Sequence, residues 1–160
     1  MENSKSHLVN FADCYVLTNK RTKAFLTSFL DAFLPNRQEA TSRYTIPQFS
    51  DEPTFIFNSD ETLIDYLVHH PNEPHAIYWL NKDVSTLRGA MCIFTNDGNV
   101  ILGLYCETLR PDTHIEREYL KKLMDFCETA DGLIEYEQPA PEDTDVFQQR
   151  LNDFKSNMSI

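Results

Sequence analysis

The sequence contains little glycine, only four residues in 160, and their spacing matches neither G-x-G-x-x-G nor G-x-x-x-x-G-K. Loops that hold phosphate groups with backbone N–H donors depend on clustered glycines of this kind. The sequence therefore predicts no nucleotide-binding loop, and we expect the protein to use no cofactor.

Metal ligands and nucleophiles are also sparse. The four cysteines are Cys14, Cys92, Cys106 and Cys127. They form no C-x2-C pair of the kind found in zinc sites, and their apolar surroundings favour reduced, buried thiols. Of the histidines, His69 and His70 are adjacent at a predicted helix end, where neighbouring rings diverge, so no metal site is predicted with His75 or His114. Since G-x-S-x-G and S-x-x-K motifs are absent, no catalytic residue is predicted.

Long apolar runs are missing as well. No segment approaches the roughly 20 apolar residues that span a bilayer. Residues 1–7 lack the apolar region of a secretory signal. We therefore expect no membrane association and a cytoplasmic location.

The patterns that are present predict one α+β domain over residues 1–160, with residues 1–9 and 156–160 frayed. Strand-like and helix-like segments alternate in the order β-α-β-α-β-β-β-α-β-α. This order favours a mixed, mostly antiparallel sheet with a central hairpin, flanked by about four helices. Residues 35–53 are polar and contain three prolines, so they are predicted to form a long irregular connection.

Local signals refine this prediction. Asp97-Gly98 is typical of a type I′ hairpin turn, in which both central residues have positive φ. Asn58 is predicted to cap the second helix. Trp79 is expected in the core, whereas an exposed Tyr78 would be a candidate binding hot spot. The basic run at residues 20–23 is interpreted as a solvated face or as a counterweight to acids elsewhere in the chain.

Charge is divided unevenly along the chain. Residues 1–50 have a net charge of +2 and residues 51–160 have a net charge of −13. Residues 128–149 contain seven acids and no lysine or arginine. Such a field repels nucleic acid and anionic membrane and favours a basic protein partner. The residues predicted to bind that partner are Glu135, Glu137, Glu142, Asp143 and Asp145.

Three segments carry a resemblance to a known class of proteins. Residues 77–80, 90–98 and 100–104 (IYWL, AMCIFTNDG and VILGL) resemble the central hairpin of small acidic bacterial immunity proteins. Those proteins neutralise a cognate polymorphic or contact-dependent toxin. The resemblance implies a non-enzymatic inhibitor that occludes a basic toxin domain, often a nuclease.

Two other functions stay open at this point. One is a small enzyme whose site is assembled from scattered residues, which a deep pocket holding perturbed carboxylates would support. The other is an oligomeric structural or adaptor protein, which a large apolar surface patch would support. The sequence does not define the oligomeric state.

Overall fold

The computed structural model describes residues 10–158 of the chain. Residues 1–9, which the sequence predicts to fray, lie outside this range, as do residues 159 and 160. Residues 156–158 form the end of the final helix. No helix in the described range is long and apolar enough to cross a bilayer.

Within residues 10–158 the chain forms eight strands and four helices, which confirms the predicted α+β class. The strands are β1 (Asn10–Thr18), β2 (Arg37–Glu39), β3 (Tyr44–Ile46), β4 (Phe55–Phe57), β5 (His75–Asn81), β6 (Leu87–Phe94), β7 (Val100–Thr108) and β8 (Gly132–Glu135). The helices are α1 (Lys23–Phe33), α2 (Asp60–Val68), α3 (His114–Cys127) and α4 (Thr144–Met158).

The main sheet has six strands in the order β2-β5-β6-β7-β1-β8, and each neighbouring pair is antiparallel. The predicted hairpin, β6–β7, lies at its centre. Gly98 has a φ of +89°, as predicted, but Asp97 does not have a positive φ. The prediction of a type I′ turn is therefore wrong. Because the Thr95 N–H donates to the Asn99 carbonyl at 3.0 Å, the loop has three residues, and one left-handed glycine closes it.

The connection over residues 35–53 is more ordered than the sequence predicts. It contains β2, which pairs with the edge strand β5, and β3, which pairs with β4 in a small second sheet. At three residues, each strand is too short to show a recognisable alternation of apolar and polar residues. Each is held in place by hydrogen bonds to its partner strand. The cap of α2 is also one residue later than predicted, since Ser59, not Asn58, accepts the Thr62 N–H.

Helices α1, α2 and α3 cover one face of the main sheet, which we call the closed face. Alternate strand residues point into this core, where each fully buried large apolar side chain contributes roughly 1.5–3 kcal/mol. The predicted core residue Trp79 is buried here, and its indole N–H donates to Asp60 at 2.8 Å. All four cysteines are free and buried in this cluster, as predicted.

Helix α4 packs on the opposite face, which we call the open face because part of it stays uncovered. Phe147 and Leu151 of α4 form a buried cluster with strand residues such as Ile101. Farther along β5, Tyr78 and Leu80 remain 42% and 51% exposed. Tyr78 therefore meets the condition under which the sequence makes it a candidate binding residue.

Arg21 corrects the interpretation of the basic run. Its side chain is buried, stacks over the ring of Phe94 and donates all five guanidinium N–H groups to main-chain carbonyl oxygens. Those carbonyls belong to Leu67, His70, Glu73, Thr95 and Asn99, at 2.7–3.1 Å. Arg21 thus joins the end of α2, the turn after it and the β6–β7 loop. Lys20 and Lys23, in contrast, form exposed ion pairs, as a counterweight would.

Candidate functional site

A row of paired residues crosses the open face at its uncovered end. Leu80 lies opposite Gly89, Gly89 opposite Tyr105, Tyr105 opposite Asp13 and Asp13 opposite Glu135. Residues paired in this way point to the same face, with Cβ atoms about 4.5–5.5 Å apart. Because Gly89 has no side chain, the row has a gap between Leu80 and Tyr105. Any larger residue at position 89 would place its Cβ only 2.6 Å from the Trp79 carbonyl oxygen, which is too close for an unstrained contact.

The gap is part of a cleft of about 300 Å³, which we call the Asp13 cleft. The residues that matter for its chemistry are Asp13, Tyr15, Tyr78, Tyr105, Gln138 and Ala140. Gln138 and Ala140 belong to the acidic segment between β8 and α4. The acidic segment therefore forms one wall of the cleft, and the sheet forms its floor.

Asp13 is the most unusual residue of this cleft. It is only 8% exposed, and no residue in the described range forms a hydrogen bond or an ion pair with its carboxyl group. Burial, followed by the negative charge of Glu135, raises the pKa of Asp13 to about 6. The nearby Arg150 does not neutralise it, because that guanidinium donates to Glu135 at 2.7 Å and to the Pro139 carbonyl at 2.6 Å.

Three tyrosines surround this carboxyl group. Burial raises the pKa of Tyr15, Tyr78 and Tyr105, and in each case the charge of Asp13 raises it further. Tyr105 also stacks on Phe11, with ring centroids 4.9 Å apart. The cleft thus combines one unpaired acid with aromatic walls, an arrangement that favours cations.

A second cleft of about 470 Å³ lies farther along the open face, and we call it the Phe49 cleft. Phe49 at its edge is 87% exposed and has a φ of +62°, which is unusual for an aromatic residue. Its N–H donates to the Thr45 hydroxyl at 3.0 Å. The Gln48 side chain exchanges two hydrogen bonds with the backbone of Ala76, which fixes this loop against β5.

The five predicted partner-binding acids fall into two groups. Glu135 is half-buried and bound to Arg150, and Asp143 lines the Phe49 cleft and accepts the Val146 N–H at the start of α4. These two have partners within the chain. Glu137, Glu142 and Asp145 have exposed side chains. The charge of Glu137 reaches Tyr105, whose pKa it helps to raise, and Glu142 lines the Phe49 cleft.

Cations from elsewhere in the chain offset part of the acidic stretch. Lys20 forms an ion pair with Glu128, and Lys155 forms one with Asp131. Together with the Arg150 pair, these contacts neutralise the acids nearest to α3 and β8. The negative charge that is left lies between β8 and the first turn of α4, next to the two clefts.

The histidines of the described residues do not converge on one point. The ring nitrogens of His69 and His70 contact the carbonyl oxygens of Asp65 and Tyr66, one turn earlier in α2. His75 is buried, and burial lowers its pKa, which favours the neutral ring. In the part of the chain that the structure describes, no group of three His, Cys, Asp or Glu side chains could hold a metal ion.

Sequence reasoning did not select Asp13, Tyr15 or Tyr105. Each was recognisable only as part of a β-rich segment, and their proximity depends on the register of β1 with β7 and β8. One local signal was available: Asp13 interrupts an otherwise apolar strand that is buried on both sides. An acid at such a position indicates either a buried ion pair or a functional site.

No family model matches this sequence, and neither a curated protein nor a solved structure matches the chain. The two clefts and the acids beside them are therefore the basis for assigning a function.

Proposed function

We propose that this protein is a binding module for a basic protein, which it engages with the acidic part of its open face. The observation that carries this proposal is the position of the segment between β8 and α4. It contributes Gln138 and Ala140 to the Asp13 cleft and Glu142 and Asp143 to the Phe49 cleft. Acids and clefts therefore form one continuous surface.

The surface has the composition of an interface. Exposed Tyr78, Leu80 and Phe49 supply apolar and aromatic contact area, and the exposed acids Glu137 and Glu142 lie around them. Aromatic anchors within a polar rim are typical of protein interfaces. The net charge of −11 accelerates association with a positively charged partner and opposes binding to nucleic acid.

The partner that fits this surface best is the basic domain of a toxin, for which the protein would serve as an immunity protein. The likeness of the β6–β7 hairpin to immunity proteins supports this choice, as does the acidic surface. Inhibition would need no catalytic residue, because a bound protein blocks a toxin's site by covering it. We place the interaction in the cytoplasm, since four free cysteines are typical of a reducing compartment.

Charge reversal of the exposed acids tests the proposal. The variant Glu137→Lys, Glu142→Lys, Asp145→Lys should associate at least tenfold more slowly with a partner captured from the source organism. The association rate of the wild type should also fall as salt rises, because the screening length shortens from about 10 Å at 0.1 M to about 3 Å at 1 M. Stopped-flow or surface-binding kinetics measures both effects.

A matched control separates the position of the charge from its amount. Glu61→Lys, Glu118→Lys, Asp125→Lys makes the same change in net charge at exposed positions on α2 and α3, over the closed face. We expect this control to retain most of the wild-type association rate. Equal rates for the two triple variants would contradict a docking surface on the open face.

One observation favours a second candidate function, acid–base catalysis in the Asp13 cleft. A carboxyl group with a pKa of about 6, beside a second carboxylate at Glu135, is suited to donate a proton near neutral pH. Hydrolysis of nitrophenyl glycosides or esters, lost in Asp13→Asn and declining above about pH 6, would support this function. If the protein hydrolyses these substrates no faster than the buffer does, acid–base catalysis on them is excluded.

A further inference from the structure

We expect Asp13 to lower the stability of the folded protein, because its carboxyl group is largely buried and has no partner among the described residues. Moving a carboxylate out of water is unfavourable unless hydrogen bonds or an opposite charge replace the water. In residues 10–158 nothing supplies them, although Arg150 and Arg88 lie on the same face. An unpaired acid kept at a cost to stability points to a group that is completed from outside the chain.

Neighbouring charges leave the cleft negative. Arg150 is bound to Glu135 at 2.7 Å, and Arg88 is bound to Glu107 at 2.9 Å, so both pairs are close to neutral. Asp13 is the one acid among the described residues that line the cleft, and it has no counter-ion there, while the exposed Glu137 adds a second negative charge at the rim. A cation that enters this cleft therefore gains an opposite charge without displacing one.

The cleft also has a shape suited to a long side chain. Gly89, which has no side chain, lies in its floor, and Tyr78 and Tyr105 stand on strands β5 and β7, on either side of β6. Aromatic rings attract ammonium and guanidinium groups and pack against the methylene groups that carry them. The volume of the Asp13 cleft, about 300 Å³, is at the lower end of the range of about 300–1,000 Å³ that is usual for small-molecule pockets. The cleft is therefore of a size suited to a single side chain.

We propose that the Asp13 cleft binds one lysine or arginine side chain of the basic partner, with Asp13 as its counter-ion and Tyr78 and Tyr105 against its stem. This inference rests on the proposed function and gives it a specific anchor. The exposed acids attract the partner, and the Asp13 cleft holds it. Charge at the rim thus controls association, whereas Asp13 controls dissociation.

The first test uses small probes. Nα-acetyl-lysine amide and Nα-acetyl-arginine amide are titrated into the protein, and the neutral Nα-acetyl-norleucine amide serves as the uncharged comparison. We expect saturable shifts of the Tyr78 and Tyr105 ring resonances with the cationic probes and at least tenfold weaker binding of norleucine amide. Asp13→Asn should weaken binding of the cations at least tenfold. The exposed control Asp125→Asn should not change it.

Two results would overturn this assignment. The first is equal binding of the lysine and norleucine amides, or unchanged binding of the cations in Asp13→Asn. The second is tighter binding of free cadaverine than of lysine amide, which would indicate a site for a small diamine instead of a protein side chain.

A second test uses the captured partner and separates this inference from the proposed function. Asp13→Asn should dissociate at least tenfold faster while associating at nearly the wild-type rate. If its dissociation rate is unchanged and the Glu137, Glu142, Asp145 reversal still slows association, the docking surface stands and the anchor fails. If the reversal itself has no effect, the proposed function fails. Thermal unfolding of Asp13→Asn confirms that the variant is folded.

Discussion

Buried charged side chains on the two faces of the main sheet differ in how many hydrogen-bond partners they have. On the closed face, Arg21 has an acceptor for each of its five N–H groups. Also on that face, the buried Glu116 accepts hydroxyl hydrogen bonds from Thr108 and Tyr136 at Oε2, and only its Oε1 has no partner among the described residues. On the open face, the carboxyl group of Asp13 has no hydrogen bond or ion pair among the described residues. The closed face thus holds its buried charged groups with several hydrogen bonds, whereas the open face keeps an unpaired charge next to an uncovered surface.

This contrast suits a molecule in which one face provides stability and the other provides a binding surface. Removing one member of a satisfied buried network leaves the remaining groups without partners and is strongly destabilising. Neutralising an unpaired buried charge should instead raise the free energy of unfolding, because the cost of keeping that charge away from water is removed. Residues of binding sites often show this second behaviour, since function, not stability, retains them. Substitutions of Arg21 on the closed face and of Asp13 on the open face should therefore shift stability in opposite directions.

The largest effect is expected at Arg21. Arg21→Lys keeps the charge but offers three donors on one nitrogen, so it cannot reach carbonyls spread over α2, the following turn and the β6–β7 loop. We expect a loss of about 3–5 kcal/mol in the free energy of unfolding. Urea denaturation measures this loss.

The neighbouring substitution Lys20→Ala is the control, since Lys20 forms an exposed pair that contributes little. Thiol labelling gives a second readout, because all four cysteines lie in the closed-face core. Native protein should label slowly, and Arg21→Lys should label faster as this face opens more often. A loss below about 1 kcal/mol for Arg21→Lys would show that the network contributes little.

The next effect is expected at Asp13 and has the opposite sign. The pKa of Asp13 in the folded protein is about 6, compared with an ordinary value of 3.8. Between these values the folded state binds more protons than the unfolded state, so the contribution of Asp13 to stability falls as pH rises from about 4 to 6. At pH 7 the penalty is complete, and Asp13→Asn should stabilise the protein by about 1–3 kcal/mol.

The pH dependence identifies the cause of this gain. Well below the ordinary pKa of 3.8, Asp13 is protonated in both states, and the difference between wild type and Asp13→Asn should vanish. Denaturation curves at about pH 3 and pH 7 give the comparison. A destabilised Asp13→Asn at pH 7 would mean that the carboxylate has a stabilising role, and the contrast between the faces would not hold.

The smallest of the three effects is expected at Gly98, in the hairpin loop that supplies two acceptors to Arg21. With a φ of +89°, this position strains any residue with a Cβ, and most of all a β-branched one. Gly98→Val should lower the free energy of unfolding by at least about 1 kcal/mol. Asn96→Ala in the same loop, at an exposed position, is the control. Equal stability of the two variants would rule out strain at Gly98.

Much of the fold is predictable because it depends on local patterns. The amphipathic spacing of α1, the alternation in β6 and β7 and the glycine at residue 98 each act within a few residues of one another. The turn type was wrong because the positive φ of Gly98 does not determine that of Asp97. Strands β2 and β3 escaped prediction because three-residue strands are stable only when a distant partner supplies their hydrogen bonds.

The candidate site was less predictable, for a related reason. The sequence identified the acidic stretch and its five residues, but it could not show that Arg150 neutralises Glu135 or that Asp143 serves as a cap. It likewise could not show that Arg21, in an exposed-looking basic run, is buried. Side chains that meet across strands or loops do so by register, and register depends on the whole sheet.

The sequence by itself determined the α+β class, the central hairpin, the buried reduced cysteines and the excess of negative charge, because composition and short-range periodicity encode each of them. Tertiary structure alone decided which charges are paired, and that the largely buried carboxyl group of Asp13 has no partner among the described residues. Asp13, Tyr78 and Tyr105 are separated by up to 92 positions in the chain and become neighbours only when β1, β5, β6 and β7 align. Burial and charge compensation are properties of that assembled surface, and no single segment contains them.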